Sequence, residues 1–343
     1  MNAYGLLWGL LLALLSTAAQ AQNDTPPQSG IWIPNPGADL WKAVRQRGQP
    51  EPSTTQVQGL DSNQLINVAG EKFRDWRRER FIRYAAYLLA GVPVVILIFH
   101  LLHGAMKLEP SGRKLLRFDL YDRVAHWLLA TVFLFLAFTG LLMLFGRFVI
   151  VPWLGLDAFS PIASASKEGH NLFGPLFLVA LLWVFLRFVA RNLPAWRDVV
   201  WLLKGGGVLG GEHPSAGFFN GGEKLWFWSL AVFGLLLSLS GLLLDFPSYA
   251  PSRELLVLAL VVHGAAAVIL VAFSFGHIYM GTAGVEGTLE GMRDGTVDAN
   301  WARQHHDQWY DEMVREGRLE ALPEAQENRV DETGTGQLGE GRT

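Results

Sequence analysis

Apolar and polar positions separate along this chain into long blocks. Five apolar runs, Tyr84–Met106, Val124–Gly146, Gly169–Leu186, Leu225–Leu244 and Leu255–Val285, contain no Asp, Glu, Lys or Arg. A bilayer core of ~30 Å needs about 20 helical residues at 1.5 Å each, so each run predicts a spanning helix, numbered here one to five. Helix is the conformation that satisfies the backbone internally where no water is present. The third run is the shortest, and the fifth is long enough to project beyond the membrane.

The flanking segments read differently. Leu6–Leu15 is a short apolar core followed by the small-x-small site Ala19-Gln20-Ala21, the pattern of a secretory signal over residues 1–21. It lacks a preceding Lys or Arg, so an uncleaved anchor is the other reading. Residues 22–80 form a polar, Pro-containing extension with too little apolar material for a core of its own. It is either a solvated linker or a segment that packs on a partner. Residues 81–106 carry the first, additional helix, and 117–285 a four-helix domain. Residues 286–343 form a charged tail whose acidic, Gly-rich end from 320 onward reads as disordered.

Composition agrees with a membrane protein. Half of the 343 residues are hydrophobic and 17% are charged, against roughly 25% in soluble domains. The mean hydropathy is +0.24. The net charge of −3 gives nucleic-acid binding no support. The absence of cysteine excludes disulfides, thiolate metal sites, iron–sulfur clusters and covalent haem attachment on this chain.

Basic residues give the orientation. Lys107, Arg113, Lys114, Arg117 and Arg123 lie between helices one and two; Arg187, Arg191, Arg197, Lys204 and Lys224 lie between three and four. The opposite loops hold Arg147, Lys167 and Arg253. The positive-inside rule places the first two loops and the C-terminus in the cytoplasm, and residues 22–80 in the periplasm. The cluster Lys72, Arg74, Arg77, Arg78, Arg80 and Arg83 on the outer side disagrees; an acidic partner surface would account for it.

Histidine supplies the candidate chemistry, because ionisable groups inside a membrane are costly and mark function. His263 and His277 on helix five are fourteen residues apart, about 40° short of four full turns. They share a face and stand about 21 Å apart, too far for one metal and suited to two stacked cofactors. His126 starts helix two at the cytoplasmic end and matches His277. His170 starts helix three at the outer end and matches His263. The outer depths match only if helix three tilts or begins earlier than its apolar run. Two pairs of neutral imidazoles fit two low-spin haems. Gly174, Gly264 and Gly276 either make room for a flat macrocycle or allow close helix packing. His100 and His103 have no evident counterpart and read as interfacial polar groups or quinone contacts. His213 reads as structural, and His305-His306 as solvated or interfacial. Thr139-Gly140-Leu141-Leu142 is echoed by Ser240-Gly241-Leu242-Leu243, through packing or an internal repeat.

The chain resembles the formate dehydrogenase gamma subunit, a bacterial cytochrome b family with two b haems. The resemblance spans about residues 117–312. It is carried in order by Arg123-Val124-Ala125-His126-Trp127, Thr139-Gly140-Leu141, His170 with Phe173-Gly174, Phe219 to Lys224, His263-Gly264-Ala265-Ala266, His277-Ile278-Tyr279-Met280 and Trp301 to Tyr310. Gly37 to Trp41 and Thr55 to Gly59 resemble the longer members, which carry an additional first helix.

The resemblance implies an all-α membrane protein, a four-helix haem-binding bundle plus one extra N-terminal transmembrane helix, in the bacterial inner membrane. It implies His126 and His277 on the cytoplasmic-side haem, and His170 and His263 on the periplasmic-side haem. A menaquinone or ubiquinone site beside the inner haem would be lined by Asn220, Gly222, Glu223 and His277. Glu223 departs from the family's common Gln; its carboxylate either takes part in proton delivery or sits at the membrane surface. Electrons would arrive from a periplasmic iron–sulfur (beta) subunit, with formate oxidised on a molybdenum- or tungsten-containing (alpha) subunit. A cytochrome b subunit of a nickel–iron hydrogenase or thiosulfate reductase is the first alternative, a histidine-dependent proton-coupled transporter the second, and a cofactor-free anchor the third.

Overall fold

The computed structural model describes residues 68–207, 214–250 and 252–319. The expected signal, nearly all of the extension before residue 68, His213 and the tail from 320 onward lie outside the described residues.

Helix one begins before its apolar run. Helix α1 (Val68–Trp76) passes through a widened π turn at Arg77–Phe81 into α2 (Ile82–His103). The basic cluster therefore sits on the first turns of the spanning helix, where Arg74 pairs with Glu71 and Arg78 with Asp75 at helical spacing. Helix two is α3 (Leu120–Val149). Its start is fixed by reciprocal capping between Asp119 and Asp122. Arg187 grips both carboxylates, at 2.8 Å to Asp119 and 2.7 Å to Asp122. Helix three is α4 (Val151–Phe188), kinked at Gly155 with φ 77°. Helix four is α6 (Gly221–Asp245) and helix five is α7 (Arg253–Tyr279). These five are long and apolar enough to cross a membrane.

Helix three departs from its apolar run. Charges at Asp157, Lys167 and Glu168 end the run, but the helix continues, because outside lipid a charged residue is a normal helical residue. Residues 156–188 would be about 50 Å long. His170 therefore lies inside the helix rather than at its start, which removes the depth mismatch with His263.

Two cores organise the chain. The first joins α3, α4, α6 and α7 around Leu129, Phe173, Phe177, Leu181, Phe227 and Leu270. Helix α2 stands outside it: 6% of its most apolar window is buried, against 22–33% in the others. It packs on α7, where the Phe81 ring lies 3.1 Å from the position a Cβ on Gly264 would take. Gly264 thus serves helix packing rather than a cofactor. Large apolar side chains such as Leu101, Leu102, Leu186 and Val179 are exposed around the bundle, the surface that lipid covers.

The second core is a cap at one end. Strand β1 (Lys114–Leu116) pairs antiparallel with β2 (Thr296–Asp298). The short helices α8 (Thr288–Arg293), α9 (Ala299–His305) and α10 (Asp307–Arg315) follow helix five. Leu115, Val297, Trp301, Trp309 and Met313 pack together there. Helix α5 (Trp196–Leu203) lies at the same end, where the buried Lys224 ammonium binds Asp198 at 2.8 Å. The two basic loops and the segment after helix five thus meet at one end of the bundle.

Candidate functional site: two histidine pairs

The structure brings the four helix histidines together in two pairs. The His126 and His277 ring centroids are 6.1 Å apart, and those of His170 and His263 are 6.0 Å apart. The first pair lies towards the cap; the second, called distal here, lies about 21 Å along α7. A metal–imidazole bond of ~2 Å on each side places two ligand rings about 6 Å apart, so each gap fits one metal atom and a flat macrocycle. Cβ atoms at Gly174 and Gly276 would meet nothing within 4 Å, which leaves open space beside His170 and His277.

The distal pair is fastened. Thr139 Oγ1 lies 2.9 Å from His170 Nδ1, and Ser240 Oγ lies 3.1 Å from His263 Nδ1. The Leu237 carbonyl accepts from the same His263 nitrogen at 3.1 Å. Gly140 and Gly241 lie against the two rings, since a Cβ there would sit 3.4 Å and 3.2 Å from their Cε1 atoms.

The cap-side pair is held by aromatic surfaces. His277 stacks on Trp226 at 4.7 Å and 12°, and His126 meets Trp127 edge-on at 5.1 Å. The buried Nδ1 of His126 has no hydrogen-bond partner among the described residues. His277 is exposed, whereas the other three histidines are half-buried.

Asn220 and Glu223 form a reciprocal helix cap at the start of α6: each side chain accepts a hydrogen bond of 2.9 Å from the other's backbone N–H. Gly221 and Gly222 let α5 approach, because Cβ atoms there would stand 2.7 Å from the Asp198 carbonyl and 3.0 Å from the Trp201 ring. Trp226, one turn further along α6, links this segment to His277. A small cavity beside Asn220 is lined by Trp201, Gly206, Pro214, Gln304 and His305.

Glu223 also accepts from Arg117 at 3.2 Å, and Arg117 is one of the residues that sequence reasoning passed over. Its guanidinium is enclosed by the rings of Phe118, Phe218, Phe219, Trp301 and Trp309, at 4.8–5.7 Å from their centroids. It donates to the Phe218 carbonyl at 2.8 Å and reaches His306 Nε2 at 3.3 Å. His306, read as solvated or interfacial, is fully buried. Its Nδ1 is 2.9 Å from the Gly217 carbonyl, which can only accept, so Nδ1 carries the proton and Nε2 accepts from Arg117. Burial, then the Arg117 charge, hold the His306 pKa well below its ordinary value. His100, read as an interfacial polar group or quinone contact, has its Nδ1 3.2 Å from the Tyr279 hydroxyl.

A family model for prokaryotic cytochrome b561 matches residues 117–295, and the chain belongs to that family. It is a multi-pass membrane protein of cytochrome b type, and membership implies b-type haem. Among named relatives, it is similar to the cytochrome b556(Fdn) subunit of the nitrate-inducible formate dehydrogenase of Escherichia coli K12. The two are 33% identical over 222 residues, 63% of this chain and 98% of the relative. The formate dehydrogenase cytochrome b556 subunit of Haemophilus influenzae is 30% identical over 233 residues, 66% of this chain and 95% of the relative. The cytochrome b556(fdo) subunit of Escherichia coli K12 is 31% identical over 202 residues, 58% of this chain and 93% of the relative. These names agree with the resemblance read from the motifs.

Proposed function

We propose that this chain is the membrane cytochrome b subunit of a formate dehydrogenase complex. It would hold two b haems, one on His126 and His277 and one on His170 and His263. The observation that carries the reading is the two histidine pairs at two levels of one helix, each spaced for one metal between its rings. The relatives' names supply the formate dehydrogenase context. Haem bound at the two pairs supplies one-electron transfer between a periplasmic iron–sulfur subunit and quinone near the cytoplasmic face. The ten basic residues of the cap-end loops support placing the cap in the cytoplasm.

The chain's own residues divide the remaining work. Four imidazoles hold and orient the macrocycles, and the apolar side chains of the bundle keep water from the distal pair. The Asn220–Glu223 turn and the adjoining cavity lie beside α6, which carries Trp226 onto His277. A quinone head group at this turn would meet polar groups and the cytoplasmic water that supplies its protons. Glu223 is fixed by Arg117 and by capping, so its carboxylate would shape the site.

A pyridine-haemochrome assay with a protein determination tests the reading. Two b haems per chain are expected, reducible by formate in membranes that hold the whole complex; one haem or none would overturn it. The quinone placement is tested by Asn220→Asp, which keeps the helix cap. Both haems should remain formate-reducible while their reoxidation by a quinone analogue slows; reoxidation at the wild-type rate would move the site elsewhere.

A further inference from the structure

The Thr139-Gly140 and Ser240-Gly241 pairs lie 101 residues apart in sequence, while the histidines they touch lie 93 apart. The repeat is therefore not a simple duplication of spacing, yet both copies make the same contact. Helix α3 presents its copy to His170 on α4, and α6 presents its copy to His263 on α7.

Each hydroxyl has one hydrogen, and the helix's own carbonyls claim it. Thr139 Oγ1 lies 2.9 Å from the Phe135 carbonyl and 3.1 Å from that of Leu136. Ser240 Oγ lies 2.5 Å from the Leu236 carbonyl and 3.2 Å from that of Leu237. A hydroxyl that already donates can only accept from the imidazole. Nδ1 must then carry the proton in both histidines. For His263 the Leu237 carbonyl requires the same tautomer independently. Nε2 is left with its lone pair, the form in which imidazole binds a metal. The glycine after each hydroxyl clears the ring's Cε1 edge, so hydroxyl and glycine together fix one tautomer and one ring position.

We propose that Thr139 and Ser240 are positioning residues for the distal haem, and that their hydrogen bonds lower its midpoint potential. The inference rests on the haem assignment above. A ligand imidazole whose remote N–H is held by an acceptor is more electron-rich, and such outer partners tune the metal. An electron-rich ligand favours ferric over ferrous iron. Among the described residues the cap-side pair shows no matching hydroxyl: Nδ1 of His126 has no partner there, and His277 rests on Trp226.

The test is a redox titration of the purified holoprotein, with low-spin ferric EPR, on Thr139→Val, Ser240→Ala and the double variant. Valine keeps the branched shape and removes only the acceptor. The distal haem is expected to stay six-coordinate, with its potential shifted upward and its EPR signal moved. The shift should be largest in the double variant, while the cap-side haem keeps its potential. Thr139→Ser and Ser240→Thr should restore the wild-type values. If a variant loses the distal haem, regaining it in the hydroxyl-keeping variant supports the proposal, and failure to regain it overturns it. Unchanged potential and EPR signal in the double variant would also overturn it. A wild-type chain without two bis-histidine haems would instead refute the haem assignment, a separate result.

Discussion

The two histidine pairs share a helix, a spacing and a residue type, yet their surroundings differ. At the distal pair each ring is bound on its remote nitrogen by a hydroxyl and flanked by glycine. At the cap-side pair one ring rests on tryptophan, and the other leaves a buried nitrogen without a partner among the described residues. Burial of an unpaired polar atom is costly, so the cap-side ring lacks a restraint that the distal rings have. One pair is held by hydrogen bonds, the other by aromatic contact. Equal residues do not make equal sites.

Removing a ligand should separate the pairs most sharply. His126→Ala or His277→Ala is expected to cost the cap-side haem, and His170→Ala or His263→Ala the distal one. Haem content per chain should halve in all four, with identical difference spectra within a pair and different ones between pairs. A spectrum shared by His126→Ala and His170→Ala would break the pairing.

The cap end should also fail first on heating. Asp198→Asn leaves the buried Lys224 ammonium without its carboxylate, at a cost of about 3 kcal/mol. Thermal melts in detergent, followed at the absorbance of each haem, should show the cap-side haem released earlier than in the wild type. Simultaneous loss of both haems would mean that the two ends are one cooperative unit.

Acid should act on the same end. His306 is neutral when folded and its pKa is depressed, so the unfolded state takes up the proton first. The stability this group contributes is complete above the unfolded value of about 6.5 and is lost as pH falls below it. The loss is at most about 1.4 kcal/mol per pH unit. Melts between pH 8 and 5 should show the cap weakening before the distal pair, and His306→Asn should flatten that dependence.

The smallest effect concerns the start of α6. Asn220→Ala removes a helix cap and should cost about 1 kcal/mol, while Asn220→Asp should leave the melting temperature unchanged. Equal destabilisation by both would show that the amide does more than cap.

The five long apolar helices, and the nearness of His126 to His277 and of His170 to His263, were legible because apolar runs and histidine spacing are properties of the chain alone. Helix ends outside lipid were not. The charges at Asp157, Lys167 and Glu168 marked where an apolar run stops, which is a different place from where a helix stops; of the two ways to match His170 to His263, the earlier helix start is the one found. The capping at Asn220–Glu223 was readable from its Asn-x-x-Glu pattern but was eclipsed by the quinone reading. The recurrence of hydroxyl and glycine was seen without its purpose, since nothing in the sequence shows that Thr139 faces His170. His306 was read as solvated or interfacial because it lies in a charged tail. What buries it includes Arg117, 189 positions earlier in the chain.

The cap also sets an order of events. Lys114 of β1 pairs with Asp298 of β2, 184 positions later, and Arg117 is enclosed partly by Trp301 and Trp309. During synthesis, β1 emerges long before β2, and Arg117 before Trp301 and Trp309, so both wait for residues that follow the last long apolar helix. Only then can the sheet close and the guanidinium be covered. The domain thus carries its own record of completed synthesis, written in a strand pair that cannot form early.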